Sequence, residues 1–375
     1  MDFALTEEQR QLEDTVRRFI ARDYGFEHRR DILNGTQGWS RETWAQLADL
    51  GALAVNVPEE QGGLGYGPVE TMLVMQAFGA GLVLEPYLAS AVIATTLLRE
   101  TGAPGELLPA LASGEKIAVL AHFESHSRWD EAAVAATTHR YGDGWVIRGR
   151  KGVVPHGGAA DLLIVSARVG GEAGPVALFA VPRETPGLAL TGYPTLDGQR
   201  AAELHMPGIY VPDTARLGGQ ACALPAVGRA LDAGLAALCA EGVGVLEALL
   251  AATAEYLKTR KQFGQPIGRF QALQHRMADM LLHVEQARSM AMLAALRCAD
   301  PDEAVRRKAL SAAKVTVGQA CRFVGQQAVQ LHGGMGMTDE LNVSHWFKRL
   351  TAIELTFGDT DTHLQRFAAL SRIAA

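Results

Sequence analysis

Two short segments of this sequence carry residue types that bind anions. In the first, residues 260–267 read RKQFGQPI, so that an arginine, an aromatic ring and a glycine–proline turn follow a stretch of helical periodicity. The planar guanidinium of Arg260 matches two oxygens of a pyrophosphate. The same residues also suit an ordinary helix end, because cations favour the last turn and Gly264 stops the helix. Taken alone, this segment leaves both interpretations open.

The second segment, residues 330–338, reads QLHGGMGMT. Glycines such as Gly333 and Gly334 let the backbone approach a ligand closely and present N–H groups to an anion. A plain loop between two helices would have a similar composition. Both segments follow long helical stretches, so the elements that carry them decide whether the two can act on one ligand.

The composition is that of a globular protein that acts on small molecules. The chain has 375 residues, of which 48% are hydrophobic and 20% charged, which excludes disorder and predicts more than one domain. Its net charge of −6 offers no basic field for a nucleic acid. Four cysteines without a C-x-x-C pair indicate neither a zinc site nor disulfides. We therefore expect reduced thiols, no bound metal and a cytoplasmic location.

The sequence predicts no membrane partner. Met1-Asp2-Phe3 lacks the basic residues and the apolar run of a signal peptide. The most apolar stretch, residues 233–254, contains Glu241 and Glu247. Two charges within such a stretch argue against a membrane span.

Helical, β-type and again helical segments follow one another along the chain. Residues 1–115 are predicted to form a helical domain, which begins at a capping box from Thr6 to Gln9 and includes helices over 42–50 and 68–77. Residues 116–222 are predicted to form an antiparallel β-barrel or sandwich, with a hairpin turn at Asp143-Gly144. Its expected strands are 117–121, 145–148, 162–167, 176–181 and 202–206.

Residues 223–375 are predicted to form a C-terminal four-helix bundle. Helices this long expose more apolar surface than a small domain covers by itself, so we expect a homo-oligomer, either a dimer or a tetramer. The predicted fold class is therefore α+β with an all-α domain, a β-domain and a helical bundle. The expected bundle helices are 233–258, 270–298, 302–331 and 341–355.

In this α–β–α order, the two anion-binding segments resemble those of the acyl-CoA dehydrogenase family. The resemblance spans nearly the whole chain, and a narrower similarity is to bacterial members described as small subunits of pimeloyl-CoA dehydrogenase. The family-wide resemblance is carried by FALTEEQ at residues 3–9, PEEQGGLG at 58–65, the RKQFGQPI turn and the segment 271–280 after it. The narrower similarity is carried by residues 333–340, 347–350 and 357–359.

The resemblance implies that FAD binds non-covalently between the β-domain and the bundle, in an enzyme that is usually tetrameric. It also implies that the flavin passes electrons to an electron-transferring flavoprotein. The positions that match the family's cofactor contacts are Arg260, Gln262, Phe263, Gln330, Gly333 and Gly334. The first three of them would approach the FAD of a neighbouring subunit, and the last three would serve its ADP portion.

The β-domain departs from the family's flavin-facing motifs. Phe123-Glu124-Ser125 stands where the family has Thr-Glu-Pro, and VVPH at residues 153–156 stands where it has Trp-x-Thr-Asn. The shielding tryptophan and a threonine hydroxyl are therefore absent. Backbone N–H groups or His156 would have to replace them. For both His122 and His156, an ordinary strand residue is the favoured interpretation over a flavin contact.

Dehydrogenation of an acyl-CoA needs a carboxylate base on one face of the thioester and the flavin on the other. The family's glutamate falls here on Gly358 or Asp359, depending on the alignment, and a second family position falls on Gly234. We predict Asp359 as the base and Glu241, about two helical turns beyond Gly234, as the second candidate. The structural alternatives are a helix cap for Asp359 and a buried, arginine-paired acid for Glu241.

The predicted reaction is α,β-dehydrogenation of an acyl-CoA to the trans-2-enoyl-CoA, in which the base removes the α-proton and flavin N5 accepts a hydride. Asp232 falls where the family has an acid that contacts CoA, and a position on a solvated helix face would explain this residue equally well. The missing glutamate keeps an alternative open, namely a catalytically incomplete partner subunit of a heteromeric acyl-CoA dehydrogenase. A flavin oxidase or a non-dehydrogenating elimination also stays open. The acyl group is not defined by the sequence.

Overall fold

The computed structural model of the chain describes residues 4–102 and 105–373. The N-terminal Met1-Asp2-Phe3, on which the signal-peptide prediction rests, lies outside the described residues. The described part divides into two compact units. The first contains the described residues of Met1–Arg30, Pro68–Val83 and Leu235–Ala375, and the second contains those of Asp31–Gly67 and Leu84–Gly234. The predicted domain boundaries at 115/116 and 222/223 stay predictions.

The predicted capping box starts the first helix. Gln9 donates its backbone N–H to Thr6 Oγ1 at 3.2 Å, and Thr6 donates its own N–H to Gln9 Oε1 at 3.0 Å. The helices before the sheet are α1 (Glu7–Asp23), α2 (Phe26–Asn34), α3 (Arg41–Asp49), α4 (Pro68–Gly81), α5 (Thr95–Thr101) and α6 (Leu107–Ala112). Shorter elements are 3-10 turns at Ala52–Ala54 and Glu59–Gln61 and a π-helix at Leu88–Ala94.

The middle of the chain forms a mixed sheet with the order β6-β7-β3-β2-β4-β5-β8 and with β1 beside β4. The pairs β1–β4 and β2–β4 are parallel, so the purely antiparallel arrangement expected for this domain is wrong. The predicted hairpin is present, but Tyr141 pairs with Gly144, so its turn is Gly142-Asp143. The strands are β1 (Ala118–Ala121), β2 (Thr137–Tyr141), β3 (Gly144–Pro155), β4 (Leu162–Val169), β5 (Val176–Pro182), β6 (Ala189–Pro194), β7 (Arg200–Pro212) and β8 (Arg216–Leu217).

A helical bundle follows the sheet, as predicted. Its elements are α7 (Leu224–Thr259), a hairpin of β9 (Lys261–Gln262) and β10 (Gln265–Pro266), α8 (Gln271–Cys298), α9 (Glu303–His332), α10 (Asn342–Leu355) and α11 (Thr360–Ile373). The structure therefore adds α11 to the predicted bundle helices and starts α7 earlier than expected. Helix α9 packs against α8, α10 and α11 and forms the centre of the bundle.

Helix α7 is a long, apolar helix whose residues are mostly buried. It is long and apolar enough to cross a membrane by length and composition, but 72% of its most apolar window is buried inside the protein, as in the core helix of a globular fold. It touches α4 backbone to backbone. A Cβ added at Gly79 would lie 2.2 Å from Glu241 O, and one added at Gly244 would lie 1.9 Å from Gln76 O. Glycine is therefore required at both positions.

Candidate functional site

The first anion-binding segment, residues 260–267, directly follows the end of α7, and we call it the cationic turn. Strands β9 and β10 form a short antiparallel hairpin whose tip is Phe263-Gly264. Both tip residues have positive φ, +54° for Phe263 and +79° for Gly264. The phenyl ring of Phe263 is 88% exposed, and Arg260 and Gln262 are exposed beside it. A large exposed aromatic ring on a strained backbone is a feature that natural proteins keep for binding.

The glycine-rich segment forms the end of α9 and the turn after it. The helix ends at His332, Gly333 follows with a φ of +63°, and a 3-10 turn spans Gly333–Met337. Gln330 and both Gly333 and Gly334 are exposed, and a side chain at either glycine would meet open space. The bare backbone of this turn is therefore accessible to a ligand.

The structure brings the two turns together. The ring of Tyr256, in the last turn of α7, stacks on His332 with 4.3 Å between the ring centroids and 27° between the ring planes. Tyr256 Oη also donates to His332 O at 3.4 Å. The ends of α7 and α9 are thereby fixed side by side, so a guanidinium, an amide and open glycine backbone lie in one region of the bundle. This donor set fits the diphosphate of a dinucleotide such as FAD.

Glu241, the second candidate for the base, is held by an arginine. Arg349 on α10 donates from Nε to Glu241 Oε1 at 2.6 Å and from Nη2 to Oε2 at 2.7 Å. Only 6% of the Glu241 side chain and 12% of the Arg349 side chain are exposed. This is the bidentate geometry of a strong, charge-assisted pair, and it occupies both carboxylate oxygens. The buried, arginine-paired acid foreseen as the structural alternative is therefore present.

Asp359, the first candidate, caps a helix. Its Oδ1 accepts the backbone N–H of Thr362 at 2.8 Å and the hydroxyl of the same residue at 2.7 Å, at the start of α11. These two hydrogen bonds stabilise the carboxylate and lower the pKa of Asp359 below its ordinary value. The helix cap foreseen for Asp359 is therefore also present. An effective base for a weakly acidic α-proton needs the opposite shift.

A buried lysine fixes the segment between α10 and α11. Lys314 on α9 is fully buried and donates to Glu354 O at 2.8 Å and to Gly358 O at 2.7 Å. Gly358 has a φ of +109°, and a Cβ there would lie 2.9 Å from His363 Nε2. The backbone therefore has no room for a side chain at Gly358. Asp232, the predicted CoA contact, is buried on α7 and not on a solvated helix face.

The β-domain contains a buried ionic cluster in place of the family's flavin-facing motif. Lys151 donates to Glu124 Oε1 at 2.7 Å, to His122 O at 3.0 Å and to Ser166 Oγ at 3.0 Å. Burial lowers the pKa of Lys151 to about 8 despite Glu124. The cluster ties the segment after β1 to β3 and β4. It was not foreseen from the sequence.

His122 belongs to this cluster as a neutral residue. Its Nε2 contacts Glu131 O at 3.0 Å, and since a carbonyl only accepts, Nε2 must carry the proton. Its Nδ1 then accepts from Ser166 Oγ at 2.9 Å. Both ring nitrogens are therefore used within the domain, which favours the structural interpretation of His122.

The second altered motif, residues 153–156, lies on a distorted part of β3. Val153 and His156 both have positive φ, +48° and +52°, and the pairing of β3 with β7 shifts register between Lys151 and Val154. Val153 is 63% exposed. His156 is buried, and its Nε2 contacts Gln199 Oε1 at 2.9 Å. A β-branched residue with positive φ is strained, and such strain concentrates at ligand-binding surfaces.

Comparison with known proteins identifies the family. Three sequence profiles match the chain in order: "Acyl-CoA dehydrogenase, N-terminal domain" over residues 6–115, "Acyl-CoA dehydrogenase, middle domain" over 121–208 and "Acyl-CoA dehydrogenase, C-terminal domain" over 224–370. The chain belongs to the acyl-CoA dehydrogenase family. As a member, this acyl-CoA dehydrogenase is an oxidoreductase that uses FAD to dehydrogenate an acyl-CoA.

Several relatives of this acyl-CoA dehydrogenase are similar over almost their full length. "Acyl-CoA dehydrogenase FadE27" of Mycobacterium tuberculosis is 31% identical, over 98% of this chain and 97% of the relative. A chain of the ChsE4–ChsE5 complex of Mycobacterium tuberculosis is 28% identical with a TM-score of 0.88 over 99% of both chains. A chain in a structure of the electron transferring flavoprotein of Acidaminococcus fermentans is 25% identical with a TM-score of 0.90, over 99% of this chain and 100% of that one.

Proposed function

We propose that this chain is one of two kinds of subunit in a heteromeric acyl-CoA dehydrogenase. In this assembly it contributes the two turns that hold the FAD diphosphate, and the other kind of subunit supplies the base that removes the α-proton. When bound, FAD supplies the hydride acceptor for the β-carbon. The observation that carries the proposal is that the acids predicted as the base are already engaged in other contacts.

Three features of the chain support a base from outside it. Glu241 accepts from Arg349 with both oxygens, so protonation of this carboxylate would break up a buried, charge-assisted pair. Asp359 caps α11, which stabilises its anion and makes it a weaker base. Gly358, the other position that matches the family's glutamate, is enclosed too tightly for a side chain.

The cofactor and assembly are proposed on two further grounds. Arg260, Gln262 and Phe263 on one turn and Gln330, Gly333 and Gly334 on the other present exposed donors and an exposed ring, which suits contact with FAD shared with a neighbouring subunit. The similar ChsE4–ChsE5 protein is a complex of two chains, which supports a heteromer over the homo-oligomer expected from helix length. We also propose a CoA contact at Asp232, an electron-transferring flavoprotein as acceptor and a cytoplasmic location.

Purification of the chain alone and with a second acyl-CoA dehydrogenase chain from the same organism tests the assembly. The co-purified complex is expected to be yellow and to lose its flavin absorbance when an acyl-CoA is added. The chain alone is expected to show no such bleaching with any acyl-CoA, because it lacks the base. If the chain alone forms a homo-oligomer whose flavin is bleached by an acyl-CoA, the proposed division of labour is wrong.

The Asp359→Asn variant tests the missing base directly. Asparagine keeps the helix cap but cannot accept a proton, so flavin reduction in the complex is expected to stay within about tenfold of the parent. Asp361→Asn, on the exposed face of the same helical turn, is the matched control. A loss of about a hundredfold or more in Asp359→Asn alone, with FAD retained, would instead identify Asp359 as the base.

A further inference from the structure

We propose that His345 is the positioning residue of the glycine turn, which we define as residues 333–340. Its neutral imidazole holds this turn in the shape that receives FAD, and protonation of the ring releases the turn. The inference rests on the proposed role of the turn in FAD binding. It makes retention of FAD dependent on pH through a residue that is remote from the flavin chemistry.

The contacts of His345 define its protonation state. Its Nε2 lies 3.1 Å from Asp339 O, in the glycine turn, and its Nδ1 lies 3.1 Å from Arg29 Nη1. A carbonyl oxygen only accepts and a guanidinium only donates. Nε2 must therefore carry the hydrogen, and Nδ1 must offer a lone pair. The neutral ring with its proton on Nε2 is the form that satisfies both contacts.

The ring is held firmly between helices. His345 is 6% exposed on α10, and the ring of Phe26 on α2 meets it edge to face, with 5.2 Å between centroids and a 79° angle between the planes. Arg29, also on α2, is 1% exposed and is itself anchored by donating from Nε to Leu82 O at 2.9 Å. The chain Leu82–Arg29–His345–Asp339 therefore connects a buried arginine to the backbone of the glycine turn.

Two side chains of α10 contact Asp339 in the glycine turn. His345 holds its carbonyl, and Lys348, one helical turn further along α10, donates to its Oδ1 at 2.6 Å. The Lys348–Asp339 pair is largely exposed and contributes little by itself. The buried contact from His345 is therefore the stronger constraint on the turn.

Burial and two nearby cations oppose protonation of the ring, whereas Asp339 favours it through its carbonyl and its carboxylate. The groups that act on it are the cations Arg29 and Lys348 and the anion Asp339, and Arg30 also lies within reach of Asp339. Burial is the main cause that lowers the pKa of His345, and Arg29 and Lys348 add to it. A proton on Nδ1 would remove the acceptor of Arg29 and place two cations 3.1 Å apart. Because Nε2 keeps its hydrogen, the effect on Asp339 is indirect: we expect the repulsion between the charged ring and Arg29 to displace the ring, so that Nε2 no longer reaches Asp339 O.

The test uses the assembled holoenzyme and two variants of the same residue. His345→Phe keeps the ring and its packing against Phe26 but removes both polar contacts, whereas His345→Gln can still donate to Asp339 O but cannot titrate. His283→Phe is the control, because it removes another histidine of the bundle, one that lies against Phe323. FAD affinity is measured by flavin fluorescence from about pH 7.5 down to about pH 5, and hydrogen exchange is followed over residues 333–340.

In the parent, FAD affinity is expected to fall, by about tenfold or more once the ring is protonated, on the acid side of the ordinary histidine value of about 6.5, as hydrogen exchange in the glycine turn rises. His345→Phe is expected to bind FAD about tenfold more weakly already at the upper pH, with fast exchange in the turn. His345→Gln is expected to remain within about threefold of the parent there and to lose the pH dependence. If His345→Phe matches the parent in both FAD affinity and exchange, the positioning role is wrong.

The Arg260→Ala variant separates this inference from the proposed function. Arg260 belongs to the other turn, so its loss is expected to weaken FAD binding while exchange over residues 333–340 in the FAD-free protein stays as in the parent. If Arg260→Ala keeps full FAD affinity, the cofactor role of the turns fails. The exchange of the FAD-free His345→Phe variant still decides whether His345 holds the glycine turn.

Discussion

Replacement of Arg349 by methionine is expected to lower the free energy of unfolding by about 3 to 5 kcal/mol. The variant leaves the Glu241 carboxylate, 6% exposed between helices, without the guanidinium that binds both of its oxygens. A buried, uncompensated charge is far more costly than a missing surface contact, because the interior cannot replace the water that the ion has lost. Equilibrium unfolding in urea measures the difference.

The Arg288→Met variant is the matched control for this prediction. Arg288 on α8 also pairs with a glutamate of α7, Glu247, but its side chain is 47% exposed and Glu247 is 25% exposed. Its loss is expected to cost about 1 kcal/mol or less. The double variant Glu241→Leu with Arg349→Met, which removes both charges, is expected to recover most of the lost stability. Equal costs for Arg349→Met and Arg288→Met would contradict the assignment of a buried, stabilised Glu241.

The parts of the fold with strong local signals were predictable from the sequence. The capping box at Thr6, the apolar strands β4 and β5 and the four long bundle helices are confirmed, because hydrophobic periodicity and caps act within a short window. Strands β2 and β6 were missed, since both consist of polar or exposed residues that only the neighbouring strands hold in place. Helix α11 was missed because few of its residues are buried.

The two turns of the candidate site could be predicted from the sequence, whereas the partners of its charged side chains could not. The glycine and arginine residues within each segment were enough to predict the two turns. The stacking of Tyr256 on His332 could not be predicted in this way, because it depends on how the bundle helices pack. The pair Glu241–Arg349 joins residues 108 positions apart, which no local pattern reveals. A signal for the buried lysines did exist. Side chains alternate between the two faces of a strand, and this alternation places Lys151 on the buried face of β3. Helical spacing likewise places Lys314 among the buried, mostly apolar residues of α9.

Acidification is expected to destabilise the protein through His122 and His363. Burial lowers the pKa of each to about 4, well below the ordinary value of 6.5. At a pH between these two values, the histidine is protonated in the unfolded chain but stays neutral in the folded protein. The stability that each neutral ring contributes is therefore fully present above about pH 6.5 and is lost as the pH falls toward about 4. The loss is expected to reach about 3 kcal/mol for each histidine.

Glutamine substitutions separate this effect from general acid denaturation. In His122→Gln the amide can accept from Ser166 and donate to Glu131 O, and in His363→Gln it can donate to Phe357 O, but neither side chain titrates. Each variant is expected to retain about 3 kcal/mol more stability than the parent on transfer from neutral pH to about pH 4. His275→Gln, at an exposed position on α8, is expected to follow the parent. The two proteins differ in whether the side chain at position 122 titrates. If their free energies of unfolding have the same pH dependence, His122 is not held neutral in the folded state.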